Sequence, residues 1–398
     1  MTLRTFTARR VILHSRRVLE GGALVIGPDG RVVEVIERYA SVNRNVVGEL
    51  VDLGEGVLAP GWVNAHAHLE LSSLVGKVDS GAAFPDWIKA LLHERAGLDR
   101  VDYEAAVNEG ADRLLRGGTT TVGDVDSTGA SAHVLRAHPI RSLVFREALD
   151  VGDPVRCEAV LAGLRVPLEK AEGLIEGLSP HAGYTVSDSL LSGLATLAVA
   201  RELPVQVHWN ESLDELCWER GEQSAFDGVV PPCSGERTLH RLDEAGVLGQ
   251  KTSLVHANYS TDEELDLIAS RGVVVVHCPG AHRFFGRGPF DLERFHGAGI
   301  QVALGTDSLA GNTALDMGEE VALLREAHPE LSPCLAFKMA TQASAAALGL
   351  PERAGTLGEG AYADMVLYGG GSEAFDRITS RGATAERIWV GGVEWSPS

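Results

Sequence analysis

Apolar positions along this chain follow two rhythms. Residues 1–58 carry short alternating segments, "RRVILHS", "GALVIGP", "GRVVEVIE" and "GELVDLG", separated by Gly, Asp and Asn turns such as "GPDGR"; this pattern predicts small β-strands. From 59 to 345, continuous apolar runs alternate with longer stretches of helical period. The runs are "GWVNAH", "TTTVGDV", "SLVFREA", "LIEGLSPHA", "PVQVHW", "TSLVHA", "GVVVVHCP" and "IQVALGTD". Between them come stretches such as "YEAAVNEGADRLLRGG", "SLLSGLATLAVARE" and "TDEELDLIASRG". Eight strands buried on both faces, most followed by a helix, predict an α/β fold, a (β/α)8 barrel. The tail, 346–398, returns to short strands in "GTLGEGAYADMVLY" and "ATAERIWVGGVEW". Both ends are therefore expected to pair into one discontinuous, sandwich-like β-domain.

In a parallel barrel the functional side chains project from the C-terminal ends of the strands. The first run ends in His66 and His68, the fourth in His181, the fifth in His208, the sixth in His256 and the eighth in Asp307. Residues i and i+2 of a strand share a face, so the His66/His68 pair can reach one metal. A third histidine and a carboxylate from other strands would complete a nitrogen- and oxygen-rich site suited to zinc or iron(II). A lone histidine at a strand end is more often a hydrogen-bonded structural residue. Five at the same end of successive strands argue against that.

Charge and cysteine usage narrow the class. A formal net charge of −20 in 398 residues argues against nucleic acid or an anionic membrane as partner. The five cysteines, at 157, 217, 233, 278 and 334, lack CxxC spacing and suit a reducing compartment. The start "MTLRTFTARRVILHS" has no apolar core of a signal peptide, and no apolar run reaches about 18 residues. A cytoplasmic protein is expected.

The segments "PGWVNAHAHLELS", "SPHAGYTVS", "VQVHWNES", "LVHANYSTDEEL", "VVHCP" and "VALGTDSLAGN", in this order, resemble the amidohydrolase superfamily, and within it the deaminase and chlorohydrolase branch. The resemblance spans essentially the whole chain. It implies metal ligands at His66, His68, His208 and Asp307. It also implies a proton-carrying Glu211, three residues after His208, and a water-orienting His256, with Asp307 acting as base. Dinuclear members carry a bridging lysine at the end of strand four; the nearest here, Lys170, lies before that strand, so one divalent ion is expected. "HAHLELS", "FPDWIKALLHER" and "SPHAGYTVS" are most similar to aminodeoxyfutalosine deaminases. That similarity implies 6-amino-6-deoxyfutalosine as substrate, Trp87 closing over it, His181 bonding to it, and a carboxylate near Glu94 holding the ribose hydroxyls. The carboxyphenyl end of such a substrate would call for a cation, Arg283 or Arg287. Where many relatives read "SPHAPY" and "CPRSN", this chain has Gly183 and "CPGAH", departures expected at the substrate rim. The resemblance also allows a homodimer.

Other readings stay open from sequence. Adenosine, S-adenosylhomocysteine, methylthioadenosine or guanine could be the amine substrate, and a triazine-like ring could lose chloride. A catalytically silent scaffold would be expected to have lost a ligand or Glu211, and both are present.

Overall fold

A strand that is apolar on both faces must be covered on both, and the eight central runs meet that demand by closing on one another inside a ring of helices. The computed structural model describes residues 2–38, 48–79, 83–233, 235, 237–371 and 373–397. The barrel strands are Trp62–Ala67, Thr119–Asp126, Arg141–Ala148, Leu174–Pro180, Val205–Trp209, Thr252–His256, Val274–His277 and Val302–Leu304, parallel and adjacent in chain order. The ring closes where the amides of Thr306 and Asp307 both donate to the His66 carbonyl at 3.0 Å. Closure thus fixes the backbone of a candidate ligand.

Gly305 permits this approach, because a Cβ there would stand 2.9 Å from the backbone N and O of His66. The Gly305→Ala variant is expected to force the eighth strand off the first and displace His66. Thermal denaturation should show a lower Tm, and metal analysis a lower bound fraction than in the parent protein.

The three predicted helical stretches form Arg100–Arg116, Asp188–Arg201 and Asp262–Arg271. Asp99 and Thr261 start the first and last with reciprocal capping boxes, which satisfy amides that have no intrahelical partner. On Arg100–Arg116, Val107, Ala111, Leu114 and Leu115 recur at helical spacing and are buried.

The terminal strands build two further sheets. One has the order Val32–Ile36, Ala23–Ile26, Arg4–Thr7, Glu49–Asp52; the other runs Val393–Trp395, Ala385–Val390, Met365–Tyr368, Val57–Pro60, Arg10–His14, Arg17–Glu20. Phe6, Leu24 and Ile26 from the first meet Val11, Leu58, Met365 and Trp389 from the second in one apolar core. This is the sandwich-like domain built from both termini. Arg141, at the start of the third barrel strand, ties it to the barrel through two bonds to Asp364, 2.8 and 3.1 Å. Among the described residues no helix is long and apolar enough to cross a membrane.

Candidate active site

The first strand delivers His66 as its penultimate residue and His68 just beyond its end, and the fifth delivers His208. Their ring nitrogens lie within 4.8 Å of one another, and His66, His256 and Asp307 make a second set of the same size. Hydrogen bonds decide the tautomers. Gln206 spends its NH2 on the Ala65 carbonyl and Ser253 Oγ, each at 3.0 Å, so its Oε1 must accept from His66 Nδ1 at 2.7 Å. His66 Nε2 is left facing the cluster, buried with no hydrogen-bond partner among the described residues. His208 Nδ1 donates to the His181 carbonyl at 2.9 Å, so its Nε2 can only accept. It stands 3.2 Å from His68 Nε2.

Burial, with His66 nearby, drives the His68 pKa down to about 3, and burial holds His208 well below its ordinary value. Burial alone would raise the Asp307 carboxyl, but the surrounding histidines overrule it and keep it ionised. Its Oδ1 lies 3.7 Å from both His66 Nε2 and His68 Nε2. Imidazoles converging on one carboxylate, with an orphaned buried nitrogen among them, fit a divalent cation. Gln206 orients His66 without touching that position. The Gln206→Leu variant is expected to weaken metal binding about 10- to 100-fold in equilibrium dialysis.

Backbone strain concentrates here. Asn210, His256, Ala257 and Asp307 take positive φ, at 49, 76, 51 and 59°, a region costing non-glycine residues about 1–3 kcal/mol each. All four lie at or just past the ends of the fifth, sixth and eighth strands. The distorted turn after His208 is held by Glu215, whose carboxylate accepts from the amides of Asn210 and Glu211 at 3.0 and 2.8 Å. It aims Glu211 so that Oε2 lies 3.7 Å from His256 Nε2, which is 4.0 Å from Asp307 Oδ2. Burial raises the Glu211 pKa, against the pull of Arg287, whose Nη2 donates to Oε1 at 2.7 Å.

These groups form the floor of a cavity of about 320 Å³. Helix Phe84–Arg95 covers it with Phe84, Trp87, Ile88, Leu91 and Arg95, and Phe226, Val229 and Val230 line the outer wall. Trp87 lines the cavity, its Nε1 buried without an acceptor among the described residues. His181 also lines the cavity; its Nδ1 bonds to Thr185 Oγ1 at 2.8 Å, leaving Nε2 for a ligand.

Two expected contacts are corrected. Glu94 is not among the lining residues; the helical repeat turns its neighbour Arg95 inward instead. Arg283 is exposed and lies outside the lining, whereas Arg287 turns in towards Glu211. Neither Gly183 nor Gly280 is among the lining residues, though Gly183 directly precedes Tyr184 and Thr185, which are. A Cβ on Gly183 would strike Thr238 Oγ1 at 2.1 Å, and one on Gly280 would strike Asn312 and Glu320 at 2.4–2.5 Å.

Glu147 was not anticipated. It is the penultimate residue of the third strand, beside His181 and His208, with no hydrogen bond among the described residues, and burial raises its pKa to about 7. The signal available was a charged pair, "RE", closing an otherwise apolar run. Gln206 had a similar signal, a polar residue two before His208 and so on the same strand face.

A profile of the amidohydrolase family matches residues 57–385. A 5-methylthioadenosine/S-adenosylhomocysteine deaminase of Thermococcus kodakarensis is 30% identical over 374 residues, 88% of this chain and 84% of that protein. An aminodeoxyfutalosine deaminase of Deinococcus radiodurans is 30% identical over 354 residues, 83% of this chain and 81% of that protein. An adenosine deaminase from Xanthomonas campestris, solved with bound zinc, is 25% identical and superposes with a TM-score of 0.85 over 98% of this chain and 92% of its own. The aminofutalosine deaminase of Helicobacter pylori, 23% identical, shares the fold at a TM-score of 0.89 over 99% of this chain and all of its own. The chain belongs to the amidohydrolase family and is a hydrolase of carbon–nitrogen bonds.

Proposed function

We propose that this enzyme is a metal-dependent hydrolytic deaminase of an aminopurine nucleoside, acting on 6-amino-6-deoxyfutalosine to give futalosine and ammonia for menaquinone synthesis. The observation that carries the reaction type is the buried cluster of histidines around ionised Asp307, with Glu211 and His256 on its cavity side. His66, His68, His208 and Asp307 would hold one divalent ion, zinc or iron(II). When bound, such an ion lowers the pKa of water from ~16 to about 7. Asp307 would accept a proton from the attacking water, and His256, facing both carboxylates, would keep that water aligned with the ring. Glu211 delivers a proton to the ring nitrogen beside the amine-bearing carbon, so that attack does not build uncompensated negative charge. Water's oxygen stays on the carbon; the proton held by Asp307 passes to the departing amine, the carbon–nitrogen bond breaks to release ammonia, and the hydroxyl proton returns to Glu211 as the carbonyl forms.

The cavity supports the choice of nucleoside. Glu147, a half-buried carboxylate with no hydrogen-bond donor among the described residues, suits the sugar hydroxyls in the place first expected of Glu94. Trp87 Nε1 needs an acceptor. The outer wall of Phe226, Val229 and Val230 suits an aryl 5′ substituent, and Arg95, the one cation among the described lining residues, suits its carboxylate. Relatives named for aminodeoxyfutalosine and for methylthioadenosine stand at the same 30% identity, so substrate choice rests on the cavity.

The test is ammonia release by metal-loaded enzyme from 6-amino-6-deoxyfutalosine, 5′-deoxyadenosine, methylthioadenosine, S-adenosylhomocysteine, adenosine and guanine. The highest kcat/KM is expected on the first. A higher value on another purine would retain the chemistry and overturn the pathway. No ammonia from any of them would overturn the deaminase reading. The Glu147→Gln variant is expected to lose about 100-fold in kcat/KM on the ribonucleoside and far less on its 2′,3′-dideoxy analogue.

A further inference from the structure

Arg287 stands in the loop after the seventh strand, where a substrate-anchoring cation was one expectation. The structure gives it a different task. Its side chain is 6% exposed and its Nη2 bonds Glu211 Oε1 at 2.7 Å. The guanidinium lies over the Phe285 ring at 4.5 Å and near the Phe84 ring at 5.7 Å. Phe285 in turn meets Trp87 and Phe84 edge-on, at 5.1 and 5.6 Å between ring centroids. The loop is pinned behind it, with Arg287 N donating to the His282 carbonyl at 3.1 Å.

The backbone of Glu211 is held separately, by Glu215 on its amide and by Asn258 Nδ2 on its carbonyl. Its carboxylate takes one hydrogen bond from a described residue, and that is Arg287. A glutamate side chain with three free torsions does not stay 3.7 Å from His256 without such a restraint. A planar guanidinium stacked on an aromatic ring is a stiff one.

We propose that Arg287 is a positioning residue for Glu211, transmitting the packing of Phe84, Trp87 and Phe285 to the proton carrier, and that it does not anchor the substrate. The inference rests on the reading of Glu211 as that carrier. Phe84 and Trp87 belong to the helix covering the cavity, so a substrate pressing on that helix bears on the proton carrier through the same stack.

The test is a double-mutant cycle on ammonia release, with metal content measured in parallel. Arg287→Ala is expected to lower kcat about 10- to 100-fold with KM within about threefold and metal content unchanged. In the Glu211→Gln background the same change should cost less than about twofold, since Arg287 acts only through Glu211. Added guanidinium should restore kcat to Arg287→Ala and do nothing for the double variant. Fully multiplicative losses would overturn the proposal, and so would a rise confined to KM, the mark of a substrate anchor. Should Arg287→Ala not fold, Arg287→Lys keeps the charge without the planar stack and is expected to show the same pattern at smaller amplitude. If the parent enzyme releases no ammonia at all, the deaminase reading fails on its own. Crystal structures of the metal-loaded parent and Arg287→Lys proteins then decide this one. The Glu211 carboxylate is expected to leave its place beside His256, and its remaining there overturns the proposal.

Discussion

The Glu211→Gln variant is expected to retain its metal and its fold while losing about 10²–10⁴-fold in kcat/KM, the usual share of a positioned acid–base group. The carboxamide is isosteric and its oxygen still accepts from Arg287 Nη2, so the 2.7 Å contact survives. What it lacks is a proton to give to the ring nitrogen and a site to take one back. Because the substitution leaves cavity shape unchanged, the loss should fall mainly on kcat, and a competitive ground-state analogue should bind within about threefold of its parent affinity. Ammonia release, inhibitor titration and metal analysis on one preparation check all three. A loss below about tenfold would remove Glu211 from the chemistry and leave His256 and Asp307 to manage the protons.

The parts of this molecule that were legible in the sequence are those governed by local rules. Runs such as "GVVVVHCP" can be read as strands because burial on both faces leaves no room for polar alternation. The candidate ligands can be read from position, since chemistry in a parallel barrel gathers at one end of the strands and His66, His208 and Asp307 all stand at that end. Where the outcome depends on which way a helix or loop faces, sequence pattern is silent. Glu94 and Arg95 differ by 100° around one helix, and only packing of Phe84, Trp87 and Leu91 over the cavity decides that Arg95 turns inward. Arg283 lies in the last turn of the short helix Pro279–Phe284 and Arg287 just past it, on either side of Phe284 and Phe285; the stack on Phe285 selects Arg287. Gln206 and Glu147 were hidden for another reason. Each is a polar interruption of an apolar strand, which sequence alone also allows as a tolerated edge residue.

Removing the metal is expected to abolish ammonia release and to lower Tm, with both restored by adding back zinc or iron(II). A ligand present at about 1,000 times its Kd stabilises the native state by about 4 kcal/mol. At an unfolding entropy of about 2.1 cal/mol/K per residue, that is roughly 5 °C for a chain of this length. The apoprotein should also become acid-sensitive in a defined window. His68 has a folded pKa of about 3 and His181 of about 4, both lowered first by burial, against about 6.5 when unfolded. Between those values the unfolded chain binds more protons, so apoprotein stability falls as pH drops below about 6.5 and continues to fall until the folded pKa values are reached. Each such histidine withdraws about 2 kcal/mol by pH 5. Urea titrations of apoprotein and metal-loaded protein at pH 7.5 and 5.0 measure the difference. An apoprotein as stable as the loaded form at both pH values would mean that this buried cluster of histidines and Asp307 is held together without a cation.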